Sequence, residues 1–260
     1  MFIACSSIAS ESYKYGNRES QTFDVYKENN IKNAPVILMV HGGGWKRGDK
    51  AHLNVIKNKV PYFIEKGYIF ISMNYTLVPD ANPLDQTLEV LKAISFIQNN
   101  ADTLNINPEQ INVIGHSAGA HLVALAITSH PLQSRVMLKY PVQSAVLLDS
   151  AGYDIVSLMN KGFLFEIYRN AFGNDQSFWK DASPYHALRG KVPPILLVCS
   201  KLRNESCSQA YSFYDKLLKY KNNAVLYPVN LSHSEINNMI GLDEEYTKDI
   251  HGFLGQFTGR

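Results

Sequence analysis

Ser117 stands in the run Gly115-His116-Ser117-Ala118-Gly119, a G-x-S-x-G pattern that suits a serine nucleophile. Its setting says more than its letters. The apolar run Ile111–Ile114 leads into it, and the helix-forming run Ala120–Ile127 leads away. A strand–turn–helix of that kind holds its central residue on a tight turn, which small neighbours must permit. The hydroxyl is then presented at the carboxyl end of a sheet, and the helix N-terminus favours developing negative charge. The plainer alternative is a glycine-rich turn with an idle serine, and the flanking pattern argues against it.

A serine nucleophile needs donors for the oxyanion. His41-Gly42-Gly43-Gly44-Trp45 follows the apolar run Pro35–Val40 directly. Three glycines in a row leave backbone N–H groups free to face a pocket where side chains would obstruct a tetrahedral intermediate. Gly43 and Gly44 are the expected donors, with Ala118 after the nucleophile as the third. Gly42 shapes the turn, and His41 is expected to hold the loop by hydrogen bonds. Phosphate cradling is the other use of such a loop, but no G-K-[ST] follows.

The base and the acid should follow in the chain order Ser, Asp or Glu, His. His233 comes just after the last β-rich run, Ala224–Val229, and is the base candidate. His251 falls in a C-terminal helical run, and His130 and His186 do not fit the order. His116 and His121 flank the turn and point away from the hydroxyl. The acid belongs in the loop after Pro194–Cys199, about four residues past the strand. That position holds Arg203, which cannot orient a histidine. Glu205 is the only carboxylate of the loop and is the expected acid. Asp149, at the end of the preceding strand, is the alternative, and Asp154 a weaker third.

Positioning these groups takes a sheet. The apolar runs Pro35–Val40, Tyr68–Met73, Ile111–Gly115, Ala145–Asp149, Pro194–Cys199 and Ala224–Val229 have few internal polar residues. Strands of that kind are covered on both faces, as in parallel sheets. Between them lie helical patterns over Leu53–Lys66, Pro83–Asn99, Ala118–Ser129, Ser208–Lys219 and Thr247–Phe257. The alternation predicts an α/β fold, a doubly wound, mostly parallel sheet. Gln21–Tyr26 alternates and is expected to be an antiparallel edge strand. No linker or repeat divides the chain, so one domain is expected over 13–260. Within it, the aromatic-rich stretch of about 150–190 is expected to form a cap-like insertion over the pocket.

The bulk numbers narrow the partners. Of 260 residues 45% are hydrophobic, and 25 basic against 23 acidic side chains leave a net charge of +2. That balance points to no nucleic acid. No apolar stretch is long enough for a transmembrane helix. The three cysteines lack zinc-ligand spacing, so no metal is expected, and no cofactor is implied. Cys199 and Cys207 are either a pair across a short loop, which suits an oxidising compartment, or two free thiols. Residues 1–12 are expected to be a disordered start or the remnant of a lipoprotein signal, with Cys5 as a possible lipid anchor if the true start lies upstream. The location is accordingly open between a bacterial cell envelope and the cytoplasm.

Taken together, His41–Lys50, Gly115–His121 and Ser232–Asn237 resemble the α/β-hydrolase superfamily. The match is to its bacterial carboxylesterase branch, related to hormone-sensitive-lipase-like and kynurenine-formamidase-like enzymes. Tyr13–Gly16 with Gln21–Tyr26 resembles the family's opening strand, and Asn74–Pro79 its NYRLxP segment. Thr76 replaces the family's Arg, which implies a missing salt bridge, and the acid loop lacks the Gly-x-x-Asp form. The resemblance implies a serine carboxylesterase acting through an acyl-enzyme on a small or medium apolar ester. An amidase of arylformamidase type would use the same residues. A non-catalytic binding module on a hydrolase scaffold is the alternative of another class.

Overall fold

The computed structural model describes residues 8–242 and 244–258. Among them eight strands form one sheet: β1 (Ile8–Lys14), β2 (Thr22–Glu28), β3 (Ala34–Val40), β4 (Ile69–Met73), β5 (Ile106–His116), β6 (Ser144–Leu148), β7 (Ile195–Ser200) and β8 (Ala224–Val229). Their order is β1-β2-β4-β3-β5-β6-β7-β8. β1 and β2 pair antiparallel, as do β2 and β4, and every other pairing is parallel. The carboxyl ends of β3, β5, β6 and β7 therefore converge on one edge, where crossover loops leave the sheet.

Both faces of the sheet are covered, which is why the strands read as continuous apolar runs. In β3, Val36, Leu38 and Val40 pack towards the helices Pro83–Asn99 and Ala118–Thr128. Ile37 and Met39, turned the other way by the period of two, meet Phe63 and Ile64 of Lys59–Glu65 and Ile250 and Phe253 of Glu244–Thr258.

Several sequence expectations need correction. The run Gln21–Tyr26 falls on β2, which starts at Thr22 and is antiparallel but not at the edge, because β1 pairs along its outer side from Ile8↔Glu28 to Lys14↔Thr22. Residues 8–12, expected in a disordered start, thus belong to a strand. Cys5 lies outside the described residues. The helix expected over Leu53–Lys66 is two, Leu53–Ile56 and Lys59–Glu65. Pro61 explains the break: it has no N–H to continue a helical ladder and is tolerated only in a first turn.

The stretch between β6 and β7 carries four short helices, Ile155–Met159, Glu166–Phe172, Gln176–Asp181 and Pro184–Ala187. Tyr153, Phe172 and Trp179 are buried beneath it, whereas Phe163 and Phe165 are exposed. Cys199 and Cys207 are joined by a disulfide, which ties the end of β7 to the helix Asn204–Lys219.

Candidate active site

Ser117 occupies the single residue between β5 and the helix Ala118–Thr128, with φ +56° and ψ −117°. A serine rarely adopts that backbone, and such strain persists only where its surroundings enforce it. Here its N–H donates to Leu148 O of β6 at 2.8 Å. The turn closes because residue 119 is glycine: a Cβ there would lie 2.2 Å from Val40 O.

His233 opens the helix His233–Asn238, whose start is set by a capping box. Ser232 Oγ accepts from Glu235 N at 3.3 Å, and Glu235 Oε2 accepts from Ser232 N at 2.7 Å. The imidazole Nε2 lies 3.0 Å from Ser117 Oγ. His116, beside the nucleophile, donates from Nε2 to the His233 carbonyl at 2.9 Å and packs its ring 4.5 Å from that of His233. Burial, above all, pushes the His116 imidazole down to about 3, so it serves as a neutral prop.

The carboxylate beside His233 belongs to Asp149, not to Glu205. Asp149 follows β6 with a left-handed φ of +52°, which turns its side chain to His233 Nδ1 at 2.6 Å. Glu205 sits in the first turn of Asn204–Lys219 and is paired with Lys161 of the insertion instead. The reason is geometric: the helix begins at Asn204, so Glu205 leaves the loop on the helix surface. Asp154 caps Ile155–Met159 and meets His186 Nε2 at 3.2 Å.

Asp149 is fully buried, which by itself would favour its neutral form. Hydrogen bonds outweigh that. Oδ1 accepts from Ser200 N at 2.8 Å and from Ser206 Oγ, and Oδ2 accepts from His233 and from Arg203 Nη1. Together they hold the carboxyl well below the ordinary carboxylate range. Arg203 Nη1 also stands 2.7 Å from His233 Nδ1. A guanidinium cannot accept a hydrogen bond, and the anionic carboxylate only accepts. Both N–H groups therefore address the same oxygen, which leaves His233 Nε2 as the acceptor for the Ser117 hydroxyl. The structure brings together Ser117, His233 and Asp149, the alternative acid of the sequence, and adds Arg203, Ser200 and Ser206, which sequence reading missed as holders of Asp149. The one available signal was the arginine in the position expected for the acid.

The glycine loop after β3 is held from below. Tyr75 OH donates to His41 O at 3.0 Å, and His41 Nδ1 lies 2.7 Å from Gly42 O. Gln86 Nε2 and Val78 N both donate to Trp45 O, at 2.8 and 2.9 Å. Trp45 Nε1 donates to His121 Nδ1 at 3.1 Å, and His121 Nε2 donates to Ala182 O at 2.8 Å, which joins loop and insertion. Gly43 has φ +121°, and a Cβ there would lie 1.9 Å from Arg47 O. Thr76 N donates to the buried Glu89 at 2.6 Å, and its hydroxyl lies 2.6 Å from Ser20 Oγ. The amides of Gly43, Gly44 and Ala118 have no hydrogen-bond partner among the described residues, and all three line the same cavity as Ser117.

That cavity has a volume of about 690 Å³ and takes one wall, Phe165, Ile167 and Tyr168, from the insertion. A larger one of about 760 Å³ lies against His130, His186 and Lys191 and contains none of Ser117, His233 and Asp149. The smaller is the one that Ser117 and His233 line. Among the described residues no cluster of His, Cys, Asp and Glu is placed to hold a metal ion.

The model of the BD-FAE family matches residues 23–217, three quarters of the chain. The chain belongs to the BD-FAE family. The matched span of this BD-FAE chain holds the glycine loop, Ser117 and Asp149, while His233 falls beyond it. The chain is similar to esterase LipQ of Mycobacterium tuberculosis, 25% identical over 72% of this chain and 46% of that protein. It is also similar to the isoprenylcysteine alpha-carbonyl methylesterase ICME of Arabidopsis thaliana, 28% identical over 79% and 52%. The BD-FAE chain thus spans about half the length of these relatives. Among solved structures, a truncated carbohydrate esterase from gut microbiota superposes with a TM-score of 0.83 at 19% identity, covering 100% of this chain and 99% of that one. An inhibited esterase B from Lactobacillus rhamnosis gives 0.80 at 19%, covering 97% and 87%. The fold is that of the α/β-hydrolases.

Proposed function

We propose that the chain is a serine ester hydrolase that works through an acyl-enzyme on Ser117. The observation that carries this reading is the unbroken line from Ser117 Oγ to His233 Nε2 at 3.0 Å and from His233 Nδ1 to Asp149 Oδ2 at 2.6 Å. The names of the relatives agree with it, since LipQ is called an esterase and ICME a methylesterase.

In this reading His233 Nε2 takes the Ser117 proton as Oγ attacks the ester carbonyl, and Asp149 stabilises the imidazolium. The negative charge on the carbonyl oxygen is received by the amides of Gly43, Gly44 and Ala118. As the tetrahedral species collapses, the C–O bond to the alcohol breaks and His233 returns its proton to the leaving oxygen. A water molecule, deprotonated by the same imidazole, then attacks the acyl-enzyme and releases the acid. Phe165, Ile167 and Tyr168 give the cavity an apolar wall, which suits an ester of small or medium size.

The test is labelling by a fluorophosphonate together with hydrolysis of short-chain nitrophenyl esters. Wild type should do both and Ser117→Ala neither. Full labelling and turnover by Ser117→Ala would refute the nucleophile. A wild type inert to both probes would make the chain a binding module on a hydrolase scaffold.

A further inference from the structure

The residues lining the cavity over Ser117 include two arginines, Arg47 and Arg203, and no Asp or Glu. The nearby carboxylates are already engaged. Asp149 is buried against His233 and Arg203, and Glu205 is paired with Lys161. Arg203 spends Nη1 on Asp149, and its Nε and Nη2 have no partner among the described residues. Arg47 is exposed at the mouth, and its side chain is likewise unpaired among them. Tyr168, half-buried on the insertion, adds a hydroxyl with no hydrogen-bond partner among the described residues. The rim therefore offers donors and positive charge, and no carboxylate among the lining residues competes for them.

A carboxylate is the group such donors suit. A guanidinium presents paired N–H groups that match its two oxygens, and a cationic mouth draws anions in. We propose that this pocket selects esters that carry a carboxylate away from the scissile bond. The inference rests on the hydrolase reading of the same site and names its substrate class. The carboxylate belongs to either the alcohol or the acyl part, and the experiment separates the two.

The measurement is kcat/KM on matched pairs at low salt. para-Acetoxybenzoate and para-acetoxybenzamide vary the charge in the alcohol part; monomethyl adipate and methyl hexanoate vary it in the acyl part. In at least one pair the anionic member should be favoured about five- to tenfold, with the advantage shrinking in concentrated salt. Arg47→Gln and Arg203→Gln should each lower the anionic-to-neutral ratio. Because Arg203 also holds Asp149, its variant is judged by that ratio and not by absolute rate. Neutral members equal or preferred in both pairs, or a ratio unmoved by Arg47→Gln, would overturn the proposal while leaving the hydrolase reading intact. No turnover of any of the four esters by a protein that the fluorophosphonate labels would overturn the proposal alone; no turnover together with no labelling would overturn both.

Discussion

Arg203 Nη1 donates to Asp149 Oδ2, the same oxygen that receives His233 Nδ1–H at 2.6 Å. One carboxylate oxygen thus serves a permanent cation and the imidazole at once. Its other oxygen is taken by Ser200 N and Ser206 Oγ. The carboxylate is fixed in place before any substrate arrives.

Arg203 should therefore matter without touching the reacting atoms of the ester. In Arg203→Met the buried Asp149 keeps three of its four donor groups and loses its cation. A drop of about tenfold in kcat on a neutral ester is expected, with a stability loss of roughly 1–3 kcal/mol. Urea unfolding and steady-state kinetics on the same preparation check it; unchanged values for both would show that the guanidinium is not needed to hold the carboxylate.

The disulfide braces the same corner. Cys199 and Cys207 enclose Ser200, Arg203 and Ser206, all of which donate to Asp149. Closing so short a loop contributes about 2–3 kcal/mol. Cys207→Ser should lower Tm and reduce kcat several-fold, as should treatment with a dithiol reductant. If neither changes Tm nor kcat, the brace is dispensable.

How far the site can be read in advance follows from where its signals lie. Ser117 and the glycine loop are marked by local patterns beside a strand, and His233 by chain order after the last strand. The parallel sheet is legible because strands buried on both faces read as unbroken apolar runs. The acid is not. Asp149 reaches His233 only through a left-handed backbone at the end of β6, and no neighbouring residue announces that turn. Glu205 stands in the right loop, but the loop is already helix by Asn204. β1 is hidden because Ile8–Lys14 is a mixed polar segment, and without it the alternation of β2 reads as that of an edge strand.

Lys59 gives a pH test of stability. It is buried, and its Nζ donates to Asn54 O at 3.0 Å. Burial lowers its pKa from the ordinary 10.5 to about 7. Between those values the unfolded chain binds a proton that the folded chain does not, so stability should rise with pH across that window. Below it the full penalty applies. Lys59→Met should raise Tm at neutral pH and flatten the rise, as measured by thermal unfolding at a series of pH values. A wild-type Tm that falls across the window would contradict the burial argument.

Gly43 tests the oxyanion loop. Its φ is +121°, and an added Cβ would come within 1.9 Å of Arg47 O, so Gly43→Ala must displace the loop. A loss of roughly 10²–10³ in kcat is expected, with little change in KM. A loss confined to KM would move the oxyanion donors elsewhere.

The central claim is that Asp149, held by Arg203, orients His233 against Ser117, and one comparison tests it directly: kcat of Asp149→Asn and of Glu205→Gln on the same short-chain ester. Asp149→Asn should lose on the order of 10⁴-fold, because the amide no longer accepts the Nδ1–H bond or stabilises the imidazolium. Glu205→Gln should stay within about threefold of wild type, since it gives up only a partly exposed ion pair with Lys161. Near-normal activity in Asp149→Asn alongside a collapse in Glu205→Gln would contradict the account.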